Sequence, residues 1–282
     1  MSATNQTPLL EVEDLRVRFH LRRGIVDAVR GVSFTLGRER LGIVGESGSG
    51  KSQTGRAILG LTPPPGEVTA RTMRFAGVDL LTASKRELRR LRGDRMTMVM
   101  QDPKYSLNPV MTVGRQMVEA CRAHSSLTRA EALEKSAAML ADVKISNPQR
   151  VMGLYPHELS GGMGQRVMIA MMLITSPDLL IADEPTSALD VTTQLEVLRI
   201  LDELVAGRGM GLIFVSHDLE LVASFCDRVL VMYAGKVVET LKASELRSAQ
   251  HPYTRGLMGC IPRLERSVHP LPVLNRDPAW AE

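Results

Sequence analysis

One eight-residue loop constrains the fold of this 282-residue chain more than any other segment. Residues 45–52 read Gly-Glu-Ser-Gly-Ser-Gly-Lys-Ser and follow a short apolar run at residues 41–44. Small residues let successive backbone N–H groups turn towards phosphate oxygens, and a helix that starts here adds the positive end of its dipole. The pattern G-x-x-x-x-G-K-[ST] after a strand therefore predicts a nucleoside triphosphate site.

Two residues of this loop have specific expected roles. Lys51 is expected to reach the β- and γ-phosphates, and the Ser52 hydroxyl to bind Mg²⁺. A Gly/Ser-rich surface turn is the alternative, but the preceding strand and the Lys-Ser pair in register favour the nucleotide site. The residues predicted to bind nucleotide here are Gly45, Glu46, Ser47, Gly48, Ser49, Gly50, Lys51, Ser52 and Gln53.

Composition narrows the class of protein. Hydrophobic residues make up 44% and charged residues 23%, ordinary values for a globular chain long enough to bury a core. The net charge of +4 is scattered, so we predict no binding to nucleic acid.

Cys121, Cys226 and Cys260 lie far apart, which predicts free thiols. The longest apolar run, residues 167–174, is too short to span a bilayer and no signal peptide is evident, so a membrane link would need a partner.

The order of strand and helix patterns predicts an α/β core with an insertion. Short apolar runs bounded by polar or Gly residues are typical of buried parallel strands. They occur at residues 41–44, 96–100, 179–182, 211–215 and 229–232, and alternating strand patterns occur at 9–19, 32–36 and 68–75. Between residues 101 and 160 helical patterns replace strands, which predicts an inserted helical lobe.

A second motif places two carboxylates at the end of an apolar strand. Residues 179–184 read Leu-Leu-Ile-Ala-Asp-Glu. Asp183 can hold Mg²⁺ through its waters, while Glu184 can orient and deprotonate an attacking water. A surface acidic pair is the alternative, but the glycine loop in the same chain favours the phosphate site.

A third motif, Leu-Ser-Gly-Gly-Met-Gly-Gln-Arg at residues 159–166, precedes an apolar helix. Ser160 can cap this helix, and the glycines would let a phosphate approach the exposed N–H groups. A plain helix cap after a turn is the alternative. A chain with one complete phosphate loop gains little from a second anion-binding helix start unless that start closes on another subunit's nucleotide.

Together the three motifs resemble those of the nucleotide-binding subunits of ABC transporters, and the resemblance covers roughly residues 9–262. It implies a P-loop NTPase (RecA-like) α/β core with an antiparallel β lobe and an inserted α-helical lobe. The implied limits are 1–262 for the ABC ATPase domain, about 102–165 for the helical lobe and 263–282 for a loosely ordered tail.

The resemblance also implies how ATP is bound and hydrolysed. In that family two subunits enclose two ATP molecules, so Ser160, Gly161 and Gly162 would contact nucleotide bound by the partner. The implied catalytic residues are Lys51, Gln101, Glu184 and His217, and the implied Mg²⁺ ligands are Ser52, Gln101 and Asp183.

Four further positions match the family. Gln101 matches the loop glutamine that contacts Mg²⁺ and the attacking water and links to the membrane subunit. Asp190 lies in the loop that crosses the dimer interface, and His217 matches the histidine that contacts the γ-phosphate. Phe19 fits the spacing of the aromatic that stacks on adenine, but it fits the core of the β lobe as well.

A narrower subfamily is also indicated. Met-Gln-Asp-Pro at 100–103, Ser-Leu-Asn-Pro at 106–109 and His-Pro-Tyr-Thr at 251–254 are similar to segments of the dipeptide, oligopeptide and nickel importers. That resemblance implies a second ABC ATPase subunit (a paralogue rather than a second copy), two membrane permease subunits and an external solute-binding protein. It implies a peripheral protein at the cytoplasmic face of a prokaryotic inner membrane. The missing C-terminal cysteine cluster predicts no iron–sulfur centre.

Two other kinds of function stay open at this point. One is an ABC ATPase of a soluble or metabolic complex, of the carbon–phosphorus lyase type or associated with nucleic acid or the ribosome. The lack of heptads between Lys51 and Asp183 disfavours the DNA-repair clamps, and the single set of motifs disfavours the two-cassette translation factors. The other is a regulatory module that does not hydrolyse ATP, which the complete set of catalytic positions disfavours.

Overall fold

A computed structural model describes residues 7–102, 106–261, 274 and 277–281. The strands are β1 (Leu10–Leu21), β2 (Gly24–Leu36), β3 (Arg40–Val44), β4 (Gly66–Thr69), β5 (Thr72–Phe75), β6 (Val78–Asp79), β7 (Met96–Val99), β8 (Leu179–Asp183), β9 (Gly211–Ser216), β10 (Arg228–Tyr233) and β11 (Lys236–Lys242). The α-helices are α1 (Lys51–Ile58), α2 (Lys85–Leu91), α3 (Val113–Arg122), α4 (Arg129–Asp142), α5 (Pro148–Gly153), α6 (Gly161–Leu173), α7 (Val191–Arg208), α8 (Leu219–Phe225) and α9 (Pro252–Gly259). Short 3₁₀ helices occupy Pro156–Glu158, Ala243–Ser248 and Pro278–Ala281.

The chain divides into two compact units, one comprising Met1–Thr82 with Ile213–Glu282 and the other Ala83–Leu212. The first unit holds an antiparallel sheet in the order β2-β1-β5-β6, with β4 also paired to β1. Leu10, Val12, Leu15 and Val17 of β1 are buried, and the residues between them are more exposed. This alternation shows that one face of the sheet packs on the core, as is usual in antiparallel sheets.

The first unit also carries the strands that lead to the glycine loop. β10 pairs in parallel with β3 and antiparallel with β11, while β9 lies on the other side of β3. β3 and β9 are almost completely buried along their length. Continuous burial explains why these strands read as unbroken apolar runs in the sequence.

The second unit combines a parallel strand pair with helices. β7 pairs in parallel with β8, with Met96 opposite Leu179 and Val99 opposite Ala182. α3, α4, α5 and α6 lie between these strands in sequence and pack on one another. Thr128 and Glu131 form a capping box at the start of α4. The boundaries proposed for the helical lobe remain a prediction, and most of the predicted tail lies outside the described residues.

The predicted α/β class is confirmed by the combination of antiparallel and parallel sheets with helices. One detail was wrong, because the strand pattern at residues 68–75 corresponds to two strands, β4 and β5. β4 pairs with residues 16–19 of β1 and β5 with residues 10–13. Between them the register of β1 shifts and Asp14 has a φ of 50°. This bulge in β1 interrupts the ladder, so the facing chain breaks there too.

Each helix among the described residues is too short or too polar to cross a membrane.

Burial gives the three free cysteines different expected reactivities. Cys121 and Cys226 are buried, whereas Cys260 is half-buried. Burial raises the pKa of the Cys226 thiol to about 12. At pH 8 only about one Cys226 in ten thousand would then carry the reactive thiolate. We expect a thiol reagent at pH 8 to label Cys260 quickly in the native protein and to label all three in denaturant. Native labelling of Cys226 as fast as that of Cys260 would contradict this burial.

Candidate functional site

The glycine loop, residues 45–52 and hereafter the phosphate loop, joins the end of β3 to the first turn of α1. Gly45 and Gly50 have φ values of 151° and 100°. A Cβ atom would collide with the carbonyl oxygen of Met232 at Gly45 and with that of Ala28 at Gly50. Glycine is therefore required at both positions by backbone conformation and by close backbone approach.

Neighbouring backbone holds the phosphate loop in place. The Gly235 N–H, in the turn between β10 and β11, donates to the Ser49 carbonyl at 3.1 Å. The Gly235 carbonyl in turn accepts from the Arg30 N–H at 2.7 Å. Within the loop, the Ser49 N–H donates to the Glu46 carbonyl at 3.2 Å. These bonds restrain the loop conformation that its glycines permit.

The loop carries one buried cation and a buried hydroxyl. Lys51 is only 5% exposed, and its Nζ donates to the Gly45 carbonyl at 2.8 Å and the Glu46 carbonyl at 2.9 Å. The Ser49 Oγ is buried and has no hydrogen-bond partner among the described residues. An unpartnered buried donor beside a fixed ammonium group fits a phosphate oxygen as ligand. The structure thus supports the predicted chemistry of the loop.

His217 and Phe19 belong to the same unit. His217 is exposed and lies between the end of β9 and the start of α8, where Asp218 caps the helix by accepting from the Leu221 N–H at 3.0 Å. Phe19 is half-buried in β1, opposite Gly66 of β4. Its ring lies close enough to Gly66 that a Cβ there would approach it to 2.8 Å. The edge of the ring is therefore close to Gly66 while the side chain stays half-buried, and both alternatives for Phe19 stay open.

In the second unit the structure brings Gln101 and Glu184 together. Asp183 ends β8 and is 5% exposed, and Glu184 follows it half-buried. The Gln101 Nε2 donates to the Glu184 Oε2 at 3.2 Å. Glu184 has a φ of 48°, a left-handed conformation that is costly for a side chain with a Cβ. Such strain is typical of residues held for function, and it fixes where the carboxylate points.

The 159–166 motif starts α6 beside a second helix start. The Ser160 Oγ accepts from the Met163 N–H at 3.3 Å, and Ser160 and Gly161 are exposed. Gly162 lies against the Thr193 side chain of α7, so there is no room for a Cβ. Two exposed helix N-termini, those of α6 and α7, are therefore adjacent.

Asp190 caps the second of these helices. It accepts from the Thr193 N–H at 3.0 Å and from the Thr193 Oγ1 at 2.7 Å. Hydrogen bonds from the Thr193 backbone and side chain hold the pKa of the Asp190 carboxyl below its usual value. Asp190 therefore stays ionised at neutral pH beside the start of α6.

A contact with the phosphate loop was missed by the sequence analysis. The hydroxyl of Tyr253 accepts from the Glu46 N–H at 3.0 Å. Its sequence signal is the His-Pro-Tyr-Thr segment at 251–254, a pattern that indicates a subfamily but not this contact. The two residues are 207 positions apart, so no local pattern could have paired them.

Comparisons with known proteins agree with this geometry. Residues 29–187 match the family model for the ABC transporter. The oligopeptide transport ATP-binding protein OppD of Salmonella typhimurium is 49% identical over 259 residues, which cover 91% of this chain and 77% of that protein. OppD of Bacillus subtilis is 47% identical over 264 residues, which cover 93% of this chain and 74% of that protein.

Solved structures extend the comparison to the fold. The ATP-binding cassette MJ0796, in a dimeric post-hydrolysis state bound to ADP and Pi, superposes with a TM-score of 0.73 at 26% identity. The alignment covers 83% of this chain and 98% of MJ0796. CbiO1 of Clostridium perfringens, part of the transporter complex cbiONQ, gives 0.72 at 27% identity and covers 86% of this chain and 92% of its own. The chain therefore belongs to the ABC transporter family as one of its ATP-binding, ATP-hydrolysing proteins, which confirms the family resemblance of its motifs.

Proposed function

We propose that this chain is an ATP-hydrolysing subunit of a peptide importer. The observation that carries the proposal is its 49% identity, over 91% of its length, to a protein named for oligopeptide transport. The same relatives favour transport over the soluble or metabolic ABC ATPases that the motifs alone leave open. A short peptide is accordingly the substrate class we assign to the importer, ahead of nickel.

The phosphate loop supplies the ATP-binding half of the mechanism. The Lys51 ammonium, now shared between two loop carbonyls, would turn to the β- and γ-phosphates. The Ser49 hydroxyl would donate to a phosphate oxygen, and so would loop N–H groups other than those of Glu46 and Ser49, which are already bonded within the protein. His217 would contact the γ-phosphate, and Phe19 would stack on adenine.

Mg²⁺ is the metal that these residues fit best. Bound with ATP, it would neutralise charge on the phosphate oxygens. Asp183, a buried carboxylate at a strand end, and the Ser52 hydroxyl supply the hard oxygen ligands that Mg²⁺ prefers, with Gln101 as a third. The described residues contain no group of three or more His, Cys, Asp and Glu that could hold a metal.

Glu184 acts as the general base. It accepts a proton from the attacking water, whose oxygen then bonds to the γ-phosphorus as the bridging oxygen leaves with ADP. The Gln101 amide at 3.2 Å and the left-handed backbone orient the carboxylate before the reaction. Orienting the base in advance lowers the reorganisation needed in the transition state.

A second ABC ATPase subunit, a paralogue of this chain, completes each site. Ser160, Gly161 and Gly162, at the exposed start of α6, would contact the γ-phosphate held by the partner. Asp190 would lie in the loop that crosses this interface. The adjacent starts of α6 and α7 support the proposal, because Ser160, Gly161 and Asp190 are exposed there.

The importer would also contain two permease subunits and an external solute-binding protein. A cavity of about 880 Å³ between α3, α4 and α5 offers a place for a permease segment. It combines the apolar Val118, Leu133 and Met152 with charged Arg115 and Glu119. On this proposal the chain is peripheral at the cytoplasmic face of a prokaryotic inner membrane, with the ATPase domain at 1–262, the helical lobe at about 102–165 and a tail at 263–282.

Uptake of a radiolabelled short peptide tests the proposal. We expect cells of the source organism that lack this chain to lose peptide uptake and to keep free amino-acid uptake. The unchanged chain should restore it, whereas Lys51→Ala and Glu184→Gln should not. Unchanged peptide uptake together with lost nickel uptake would contradict the assigned substrate class.

A further inference from the structure

Tyr253 connects the C-terminal part of the first unit to the phosphate loop. The residue is the second of α9, directly after Pro252, and is completely buried. Its hydroxyl accepts a hydrogen bond from the Glu46 N–H at 3.0 Å. The buried phenol therefore contributes a hydrogen bond as well as packing, because its oxygen is the acceptor for the part-buried Glu46 N–H.

The bonded N–H belongs to the peptide group that also binds Lys51. The carbonyl of this Gly45–Glu46 peptide accepts from the Lys51 Nζ at 2.8 Å. The same ammonium group donates to the Glu46 carbonyl at 2.9 Å. The peptide is thus bonded at its N–H by Tyr253 and at its carbonyl by Lys51. A rotation of this peptide would move the carbonyls that hold the ammonium group.

Several contacts hold Tyr253 itself in place. The Glu239 Oε1 in β11 accepts from the backbone N–H groups of Gln250 at 2.7 Å and His251 at 3.3 Å. The His251 Nδ1 accepts from the Tyr253 N–H at 3.2 Å and so caps α9. These bonds fix the turn that delivers the tyrosine to the loop.

Aromatic packing restrains the ring of Tyr253 as well. The ring of Tyr233 lies 4.5 Å away between centroids, and that of Trp280 lies 5.9 Å away. Trp280 stands in the 3₁₀ helix near the end of the chain and also contacts Tyr233. The phenol is therefore restrained by Tyr233 from β10 and by Trp280 from the 3₁₀ helix Pro278–Ala281.

We propose that Tyr253 is a positioning residue for ATP binding, whose hydroxyl orients the Gly45–Glu46 peptide group and through it the ammonium group of Lys51. The inference rests on the proposed role of Lys51 in binding phosphates. It assigns a physical task to the His-Pro-Tyr-Thr segment, which is to hold the phosphate loop from the C-terminal side. The hydroxyl is the group that carries this task, and the ring serves to place it.

Removing only the hydroxyl tests the inference. Tyr253→Phe keeps the ring contacts but leaves the Glu46 N–H without its acceptor. We expect the KM for ATP to rise about tenfold, as for a lost hydrogen bond whose buried donor stays unpaired. We expect kcat to change less than about twofold, because the loop holds the phosphates in both the ground and the transition state. Tyr233→Phe, which removes a hydroxyl from the same aromatic group, is the control and should leave KM unchanged.

Thermal unfolding without nucleotide separates positioning from packing. A Tyr253→Phe protein with a lowered unfolding midpoint and an unchanged KM would overturn the inference, and so would equal KM changes in the two Tyr→Phe variants. If Tyr253→Phe does not fold, Trp280→Ala replaces it in the test. Trp280→Ala should raise the KM for ATP about threefold, because the phenol of Tyr253 is then less restrained. An unchanged KM in Trp280→Ala would also overturn the inference. Lys51→Ala separates the two proposals. If Lys51→Ala keeps its ATP affinity, the role of the loop is refuted. If Lys51→Ala loses ATP affinity but Tyr253→Phe keeps its KM for ATP, only the role of Tyr253 is refuted.

Discussion

Glu184→Gln is expected to bind ATP with nearly unchanged affinity and to hydrolyse it at least about 100-fold more slowly, the usual size of a general-base contribution. The amide that replaces the carboxylate cannot accept the proton of the attacking water at neutral pH. It keeps the shape of the side chain and can still accept the Gln101 Nε2 hydrogen bond. With the proposed second ATPase subunit, the variant should therefore accumulate in the closed, ATP-bound dimer. Single-turnover ATP hydrolysis and size-exclusion chromatography with ATP measure the two effects.

Glu203→Gln is the matched control for this prediction. Glu203 belongs to the same unit, is exposed, and forms an ion pair with Lys144 at 3.0 Å. Exposed ion pairs contribute little, so this variant should hydrolyse ATP at the rate of the unchanged protein. A Glu184→Gln variant with full turnover would remove Glu184 from the role of base.

Lys51→Ala is expected to weaken ATP binding by about 10- to 100-fold, which corresponds to about 1.5–3 kcal/mol for hydrogen bonds from a charged group. The ammonium group is buried and donates to the carbonyls of Gly45 and Glu46, and alanine cannot replace either bond. Alanine is the best helix former, so α1 should still begin at this position. Titration with a fluorescent ATP analogue measures the loss of affinity.

Lys85→Ala is the matched control for the charge. Lys85 is the first residue of α2, as Lys51 is of α1, but it is exposed. Its removal should leave ATP affinity within about twofold, because an exposed charge is screened by solvent and salt. Tight ATP binding by the Lys51→Ala protein would contradict the assignment of the phosphate loop.

The local parts of the site could be read from the sequence. The phosphate loop, the acidic pair at the end of β8 and the capped start of α6 each lie within a few consecutive residues. Their chemistry depends on residue type and on the adjacent strand or helix, and short-range patterns record both. The strand runs at β3, β8, β9 and β10 were predictable for the same reason, since buried parallel strands are continuously apolar.

Contacts between distant parts of the chain could not be predicted from the sequence. The break between β4 and β5 follows a bulge in β1 that lies more than fifty residues earlier in the chain. The Gln101–Glu184 bond joins residues 83 positions apart, at the ends of strands whose pairing had to be known first. The left-handed conformation of Glu184 could not be predicted from its residue type either, because glutamate seldom adopts this conformation.

The sequence by itself determined that the chain binds a nucleoside triphosphate, belongs to the ABC family and carries the residue types that hydrolysis needs. Local patterns suffice for this, because a phosphate loop needs only glycines, a lysine and a helix start in the right order. Only the tertiary structure decided that Gln101 orients the Glu184 carboxylate, that α6 and α7 begin side by side, and that Tyr253 bonds the phosphate loop. These are distances between segments far apart in the chain, and packing of the whole core sets them.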